Sequence, residues 1–173
     1  MRKFILGLML VNAISLHAQS DDKAIAYNDY IVNLQNTIGE SIVTFNDVMS
    51  TDTITAEGIK PYYEAMINNT KNAIVKINEV LPYDGNSDLK NAASDLFQFY
   101  LTIFQNEYKE MIDIIFSDNI GDPQLQRMNE ILADISAKEA VLDGNFQAAQ
   151  EAFAAKYNFE IIENELQDEI DDY

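Results

Sequence analysis

Four long stretches of this chain carry apolar side chains at alternating intervals of three and four residues. That spacing places the side chains on one face of an α-helix, so each row predicts a helix that is buried along that face. In the first stretch the row consists of Tyr27, Ile31, Leu34, Ile38, Ser41, Phe45 and Val48, with Ser41 as its one polar member. The four rows predict helices over residues 21–49, 56–81, 87–117 and 122–168.

Turn-forming residues separate the predicted helices. Pro82 ends the second helix because proline has no backbone N–H, and the Asp-Gly-Asn run at residues 84–86 predicts a turn. Asp122 followed by Pro123 is a favoured start for the fourth helix. Gly144 lies inside that helix, where the spacing of its row continues without a slip. The row of the fourth helix consists of Leu125, Met128, Leu132, Ile135, Glu139, Leu142, Phe146, Ala149 and Phe153. A continuous or kinked helix is the favoured interpretation, and a break into two helices is the alternative.

Four long helices with short connections predict an all-α fold, an antiparallel up-down-up-down four-helix bundle with a long C-terminal helix. The third helix carries two apolar rows, so we expect it to be the most enclosed member of the bundle. Residues 19–173 fit a single helical-bundle domain. The fourth helix is long enough to extend about 20 Å beyond its partners.

The N-terminus has the pattern of a secretory signal peptide. Arg2 and Lys3 precede an apolar run over residues 4–16, and Ala18 precedes a polar segment, so we predict a signal peptide over residues 1–18. The run is shorter than the roughly 20 residues that a membrane-spanning helix needs. We therefore expect an exported bacterial protein of the periplasm, the cell surface or the medium, which is not an integral membrane protein after cleavage.

The composition argues against most enzymatic chemistry. The one histidine, His17, lies in the predicted signal peptide, and the chain has no cysteine and no tryptophan. The usual general base, metal ligand and thiol nucleophile are thus missing, so we predict neither an enzyme nor a bound cofactor. The formal net charge of −18 repels nucleic acid but suits cationic partners and divalent ions.

Two sets of polar residues are weak metal-site candidates. One set alternates through the turn before the third helix and resembles part of a calcium loop, but Leu89 stands where such a loop needs glycine, and helix capping explains the same residues. The other set consists of two carboxylates near the core rows, which would bind a cation or share a proton if they met. The candidates are Asp84, Asn86, Asp88, Glu107 and Glu139.

The C-terminal part of the fourth helix is the predicted partner-binding region. Phe159, Ile162 and Leu166 form an apolar row where that helix would outrun the other three. We expect a non-enzymatic bundle that binds a protein or peptide partner, or acts as a scaffold, in the bacterial envelope. The alternative is a protein that binds divalent cations such as calcium, or cationic peptides. Self-association through the C-terminal helix is a further expectation.

Two segments carry a family resemblance. The first is the Tyr-Asn-Asp-Tyr-Ile-Val run at residues 27–32, followed by Gln35. The second covers residues 146–150 and 153–157. Together they resemble an uncharacterised family of exported or surface-associated helical proteins of spirochaetes and Bacteroidota. This resemblance implies export and a helical bundle, and it implies no catalytic or binding residue.

Overall fold

The computed structural model describes residues 21–51, 53–117 and 120–161. The helical elements in this part of the chain are α1 (Asp22–Met49), α2 (Ala56–Glu79), α3 (Asp88–Ile103), a π-helical segment (Phe104–Tyr108), α4 (Lys109–Ile115) and α5 (Asp122–Tyr157). The third rod consists of α3, the π segment and α4, which follow one another without a break. The predicted all-α fold class is confirmed. The predicted signal peptide, residues 1–18, lies outside the described residues.

Contacts between the ends of the rods establish an antiparallel arrangement. Phe45, near the end of α1, lies against Tyr63, near the start of α2, with ring centroids 6.4 Å apart. The Tyr27 ring at the start of α1 stacks on the Phe153 ring at the end of α5, 5.4 Å away. Along the bundle α1 packs on α2, α2 on α3, and α3 on α5. Consecutive rods are therefore neighbours and run in opposite directions.

The third rod is the most enclosed part of the bundle, as its two apolar rows predict. Tyr100, Phe97 and Phe104 are among the largest side chains that are fully buried. The buried residues of α3 come from both predicted rows, and they are Leu89, Ala93, Leu96, Phe97, Tyr100 and Ile103. This rod contacts α1, α2 and α5, which explains why it needs apolar side chains on more than one face.

The π-helical segment is a feature that apolar spacing did not predict. Tyr100, Phe104 and Tyr108 follow at intervals of four residues, and all three are buried. Successive four-residue steps drift around a regular α-helix of 3.6 residues per turn, and a π turn absorbs the extra residue. The hydroxyl of Tyr63 donates a hydrogen bond to the Phe104 carbonyl oxygen at 2.7 Å, which ties α2 to this segment.

The fourth helix ends earlier than predicted. It stops at Tyr157 and not near residue 168, because Asn158 adopts a left-handed conformation with φ 58°. Asparagine tolerates this conformation, and the backbone N–H of Phe159 then donates to the Ala154 carbonyl oxygen at 3.1 Å, as in a Schellman motif. The described part of the chain therefore shows no helical overhang beyond Tyr157.

Gly144 does not interrupt α5, which is continuous across it. The buried face of α5 nevertheless differs from the predicted row. Leu125 of that row is 47% exposed, whereas Ile131, Asp143 and Gln150 are buried. A strict alternation of three and four residues drifts by about 20° per heptad on a straight helix, so the true contact face moves away from it.

None of the helices in the described ranges is both long and apolar enough to cross a membrane.

Replacing Gly144 with alanine should stabilise the protein by about 1 kcal/mol, because alanine has the higher helix propensity. A Cβ atom built at Gly144 meets no atom within 4 Å, so the substitution creates no clash. Gly85 is the matched control: its φ of 75° is strained for alanine, and Gly85→Ala should destabilise by about 1 kcal/mol. Urea unfolding of the two variants measures both effects, and a loss of stability in Gly144→Ala would contradict the continuous helix.

Replacing Tyr63 with phenylalanine should destabilise the protein by about 1 kcal/mol, because it removes the hydroxyl that bonds the Phe104 carbonyl. The neighbouring Tyr62 is 39% exposed, so Tyr62→Phe should leave the free energy of unfolding nearly unchanged. Equal stabilities of the two variants in urea would show that the Tyr63 hydrogen bond does not hold α2 on the π segment.

Candidate functional site

Polar side chains occupy part of the core-facing side of α5. Glu139, Asp143, Gln147 and Gln150 lie at intervals of four, four and three residues, which places them on one face of the helix. Glu139, Asp143 and Gln150 are buried, and Gln147 is half-buried. We call these four residues the polar seam. Buried polar groups need hydrogen-bond partners, so the seam constrains what may pack against α5.

The two carboxyl groups of the seam lie against buried aromatic residues of the third rod. Glu139 accepts a hydrogen bond from the Tyr100 hydroxyl at 3.1 Å. Burial raises the pKa of Glu139 to about 7; the Tyr100 hydrogen bond lowers this pKa, and the Asp143 charge raises it. Burial also raises the pKa of Asp143 to about 6. Burial, and then the charge of Glu139, raise the pKa of the Tyr100 and Tyr108 hydroxyls. In the folded protein, the Glu139 and Asp143 carboxyl groups therefore stay protonated up to a near-neutral pH.

The lower half of the seam is a chain of amide hydrogen bonds to α1. Gln150 donates from Nε2 to Asn28 Oδ1 at 3.0 Å, and Asn28 donates from Nδ2 to Asp29 Oδ1 at 3.2 Å. Gln150 and Asn28 are both fully buried. The Oε1 atom of Gln150 has no hydrogen-bond partner within the described ranges. We call Asp29, Asn28 and Gln150 the amide relay.

Gln147 links the carboxyl half of the seam to the protein surface. Its Nε2 atom donates to Asp143 Oδ2 at 2.8 Å, while Asp143 Oδ1 is buried and has no hydrogen-bond partner among the described residues. Gln147 also reaches the surface, because it lines a cleft beside α5. The buried carboxyl of Asp143 is thus one hydrogen bond away from a residue that contacts solvent.

The cleft has a volume of about 390 Å³. Its lining combines polar side chains with small and apolar ones: Gln147, Gln150, Glu151, Ala154, Ala155, Phe159 and Ile161. The turn at Asn158 creates it, since the chain reverses there and brings residues 159–161 beside the last turns of α5. Its volume is in the range of small-ligand pockets.

A packed group of aromatic rings supports this end of the bundle. Tyr83 and Tyr157 meet edge to face at 4.9 Å, and Phe153 lies 6.0 Å from Phe159 and 4.7 Å from Tyr157. The Tyr83 hydroxyl donates to Asp21 Oδ2 at 2.6 Å, which joins the turn before α3 to the start of α1. The rings contact one another directly, so they form a support for the cleft wall and not a cavity of their own.

The turn candidates for a metal site bond to one another and to the rest of the fold. Asp84 and Gly85 both have positive φ, as a tight turn requires, and Asp84 accepts a hydrogen bond from Tyr157 at 3.4 Å. Asn86 accepts from the Asp88 backbone N–H at 2.8 Å and donates to the Asp88 carboxylate at 2.9 Å. These contacts match the turn interpretation. In the described part of the chain, no group of three or more His, Cys, Asp or Glu could hold a metal ion.

Among the described residues, Glu139 has Tyr100 and Asp143 as its partners, and no hydrogen bond or charge effect links it to Glu107, the other carboxylate of the second candidate pair. Glu107 is half-buried on the π segment, and its Oε2 atom has no hydrogen-bond partner in the described ranges. The carboxylate that acts on Glu139 is Asp143, one turn further along α5. The sequence did carry a signal for Asp143, because Ile131, Ile135, Glu139 and Asp143 follow at steps of four. The heptad row passed through Leu142 instead.

Phe159 has a different position from the one predicted. It is only 6% exposed and packs on Phe153, so it is part of the aromatic support and an inner wall of the cleft, not an exposed anchor on an overhanging helix. The other two predicted partner-binding residues, Ile162 and Leu166, lie outside the described residues.

Comparison with models of protein families, with curated proteins and with solved structures finds no match. The family resemblance of residues 27–32 and 146–157 therefore stays a prediction.

The buried carboxyls should make the protein less stable as the pH rises from about 4 to about 7. The folded protein binds more protons than the unfolded chain in this range, because burial raises the pKa of Glu139 to about 7 and that of Asp143 to about 6. The stabilisation is complete below the unfolded pKa values and is lost as the pH rises through the folded ones. Glu139→Gln should therefore be more stable than the wild type at pH 8, by roughly 2 kcal/mol.

Urea unfolding at pH 4.5 and pH 8 checks this prediction. Glu64 is the control, because it is an exposed glutamate on α2, and Glu64→Gln removes the same charge without changing the core. If Glu139→Gln and Glu64→Gln showed the same pH dependence, Glu139 would not hold its proton in the folded state.

Proposed function

We propose that this chain is an exported, non-enzymatic helical-bundle protein of the bacterial envelope that binds a protein or peptide partner in the cleft beside α5. The observation that carries the proposal is the lining of that cleft, in which small, apolar and amide side chains lie together. Ala154 and Ala155 leave space above the helix, and Phe159 and Ile161 form an apolar wall. Clefts that combine apolar surface with a few polar groups suit the side chains of a peptide.

Two features support binding over catalysis. The strongly perturbed carboxyls, Glu139 and Asp143, are both buried in the core against the third rod, and neither lines the cleft. Among the described residues, the cleft side chains are amide, aliphatic and aromatic groups with one carboxylate, Glu151. Such a set can recognise a ligand through hydrogen bonds and apolar contact.

Of the two ligand types in the alternative prediction, the cleft favours cationic peptides over calcium. Asp84, Asn86 and Asp88 are occupied with the turn and with Tyr157. Glu151, by contrast, lies in the cleft lining of a chain whose formal net charge is −18. Opposite charge speeds association and favours a cationic partner. Export and self-association stay predictions from the sequence.

A peptide library displayed on phage tests the proposal. Selection on the wild type should enrich related peptides whose binding weakens at least tenfold in Ala155→Tyr, because the tyrosine ring would fill the cleft. Ala137→Tyr is the matched control, since Ala137 is also exposed on α5 but does not line the cleft. The control should bind the selected peptides like the wild type.

Two results would contradict cleft binding. Selection without any enriched peptide family would remove the support for peptide binding. Enriched peptides that bind Ala155→Tyr and the wild type with equal affinity would place their binding surface elsewhere.

A further inference from the structure

We propose that Asp84 is a modification site at which the chain forms isoaspartate through a succinimide, and that the fold protects Asp143 from the same reaction. The sequence Asp-Gly-Asn occurs twice in the chain, at residues 84–86 and 143–145. Aspartate followed by glycine is predisposed to this reaction, because glycine has no side chain to shield its backbone nitrogen. The two copies share their local sequence and differ in their structural environment.

The reaction needs no reagent other than water. The Gly85 backbone nitrogen attacks Cγ of the neutral Asp84 carboxyl group, an N–Cγ bond forms, and the amide hydrogen and the carboxyl hydroxyl leave as one water molecule. The product is a five-membered succinimide ring. Water then adds to one of the two ring carbonyl carbons and breaks its bond to nitrogen. Opening at Cγ restores aspartate, whereas opening at the backbone carbonyl carbon gives isoaspartate, whose main chain runs through Cβ and Cγ.

The turn that contains Asp84 leaves its central peptide unit free to rotate. Backbone hydrogen bonds of 3.0 Å and 2.8 Å join Tyr83 and Asn86 across the turn. Between them, Asp84 and Gly85 have φ values of 48° and 75°, as in a type I′ turn. In the described part of the chain, no hydrogen bond engages the Gly85 N–H or the Asp84 carbonyl. A flip of this peptide unit to the type II′ form keeps both flanking bonds and turns the Gly85 nitrogen toward the Asp84 side chain.

The surroundings of the turn leave room for ring closure. Asp84 and Gly85 are both exposed, and a Cβ atom built at Gly85 meets no atom within 4 Å. The Tyr157 hydroxyl donates to Asp84 Oδ2 at 3.4 Å, a long hydrogen bond that costs little to break. Water has direct access for the second step of the reaction.

The second Asp-Gly-Asn copy lies inside the continuous helix α5. In an α-helix the Gly144 N–H donates to the Ala140 carbonyl and the Asp143 carbonyl accepts from the Gln147 N–H, so rotation of the peptide unit between Asp143 and Gly144 breaks two hydrogen bonds. The Asp143 side chain is 4% exposed, and its Oδ2 atom accepts from Gln147 Nε2. Succinimide formation at Asp143 therefore requires local unfolding of α5, and such open states are sparsely populated.

Isoaspartate at position 84 would disturb the end of the bundle. It adds one atom to the main chain inside a two-residue turn, so the two hydrogen bonds between Tyr83 and Asn86 lose their alignment. Tyr83 belongs to the aromatic support and bonds Asp21 at the start of α1. We therefore expect the modified protein to unfold at a lower temperature than the unmodified one.

Ageing of the full chain at neutral pH and body temperature tests the inference. Electron-transfer mass spectrometry distinguishes isoaspartate from aspartate at each site. The folded protein should accumulate at least about tenfold more isoaspartate at position 84 than at position 143, because the second site must unfold first. The same chain aged in guanidinium chloride should react at both sites at similar rates, since their local sequences match.

Two alanine variants identify the attacking nitrogen. Gly85→Ala should reduce isoaspartate at position 84 about tenfold, because the added methyl group shields the nitrogen and opposes the flip of the peptide unit. Gly144→Ala is the matched control and should leave the rate at position 84 unchanged. Circular dichroism checks the fold of both variants. The thermal midpoint of the wild type should fall with ageing, and that of Gly85→Ala should fall less.

Four results would overturn the inference. Equal isoaspartate at positions 84 and 143 of the folded protein would show that α5 gives no protection. Reaction in guanidinium chloride but not in the folded protein would show that the turn protects Asp84 as well. A chain that forms no isoaspartate even when unfolded would lack the chemistry altogether. An unchanged rate in folded Gly85→Ala would exclude the proposed attack by the Gly85 nitrogen.

Discussion

The burial of polar side chains on α5 is the constraint on which the rest of the structure depends. An apolar face can slide or rotate against its neighbours at modest cost, whereas a buried carboxyl or amide must meet a partner at hydrogen-bond distance. Glu139 meets Tyr100 of α3, and Gln150 meets Asn28 of α1. These two contacts lie eleven residues apart on α5 and fix both its rotation and its register against two other rods.

The same constraint links stability to protonation. Glu139 and Asp143 lie one turn apart in a core that also contains the Tyr100 and Tyr108 rings, and their burial favours the uncharged forms. The exterior, in contrast, carries most of a large excess of acidic residues, 29 against 11 basic ones over the whole chain. Ionisation of the core pair adds charge to a protein that already repels itself, so both effects weaken the fold as the pH rises.

The cleft follows from how α5 ends. The left-handed Asn158 turns the chain away from the axis of α5 after Tyr157 and places Phe159 on the aromatic support. This reversal converts one side of α5 into a lined cleft.

The chain by itself determined the number of rods, the approximate limits of the first three, the enclosed third rod and the turn at residues 84–86. These properties depend on neighbouring residues, and local spacing encodes them. Only the tertiary structure decided that Gln150 enters the core, that the third rod contains a π segment and that α5 ends at Tyr157. The physical reason is distance along the chain: Gln150 finds its partner 122 residues away, and Glu139 finds its own 39 residues away. Spacing within one helix cannot show which distant group will satisfy a buried polar atom.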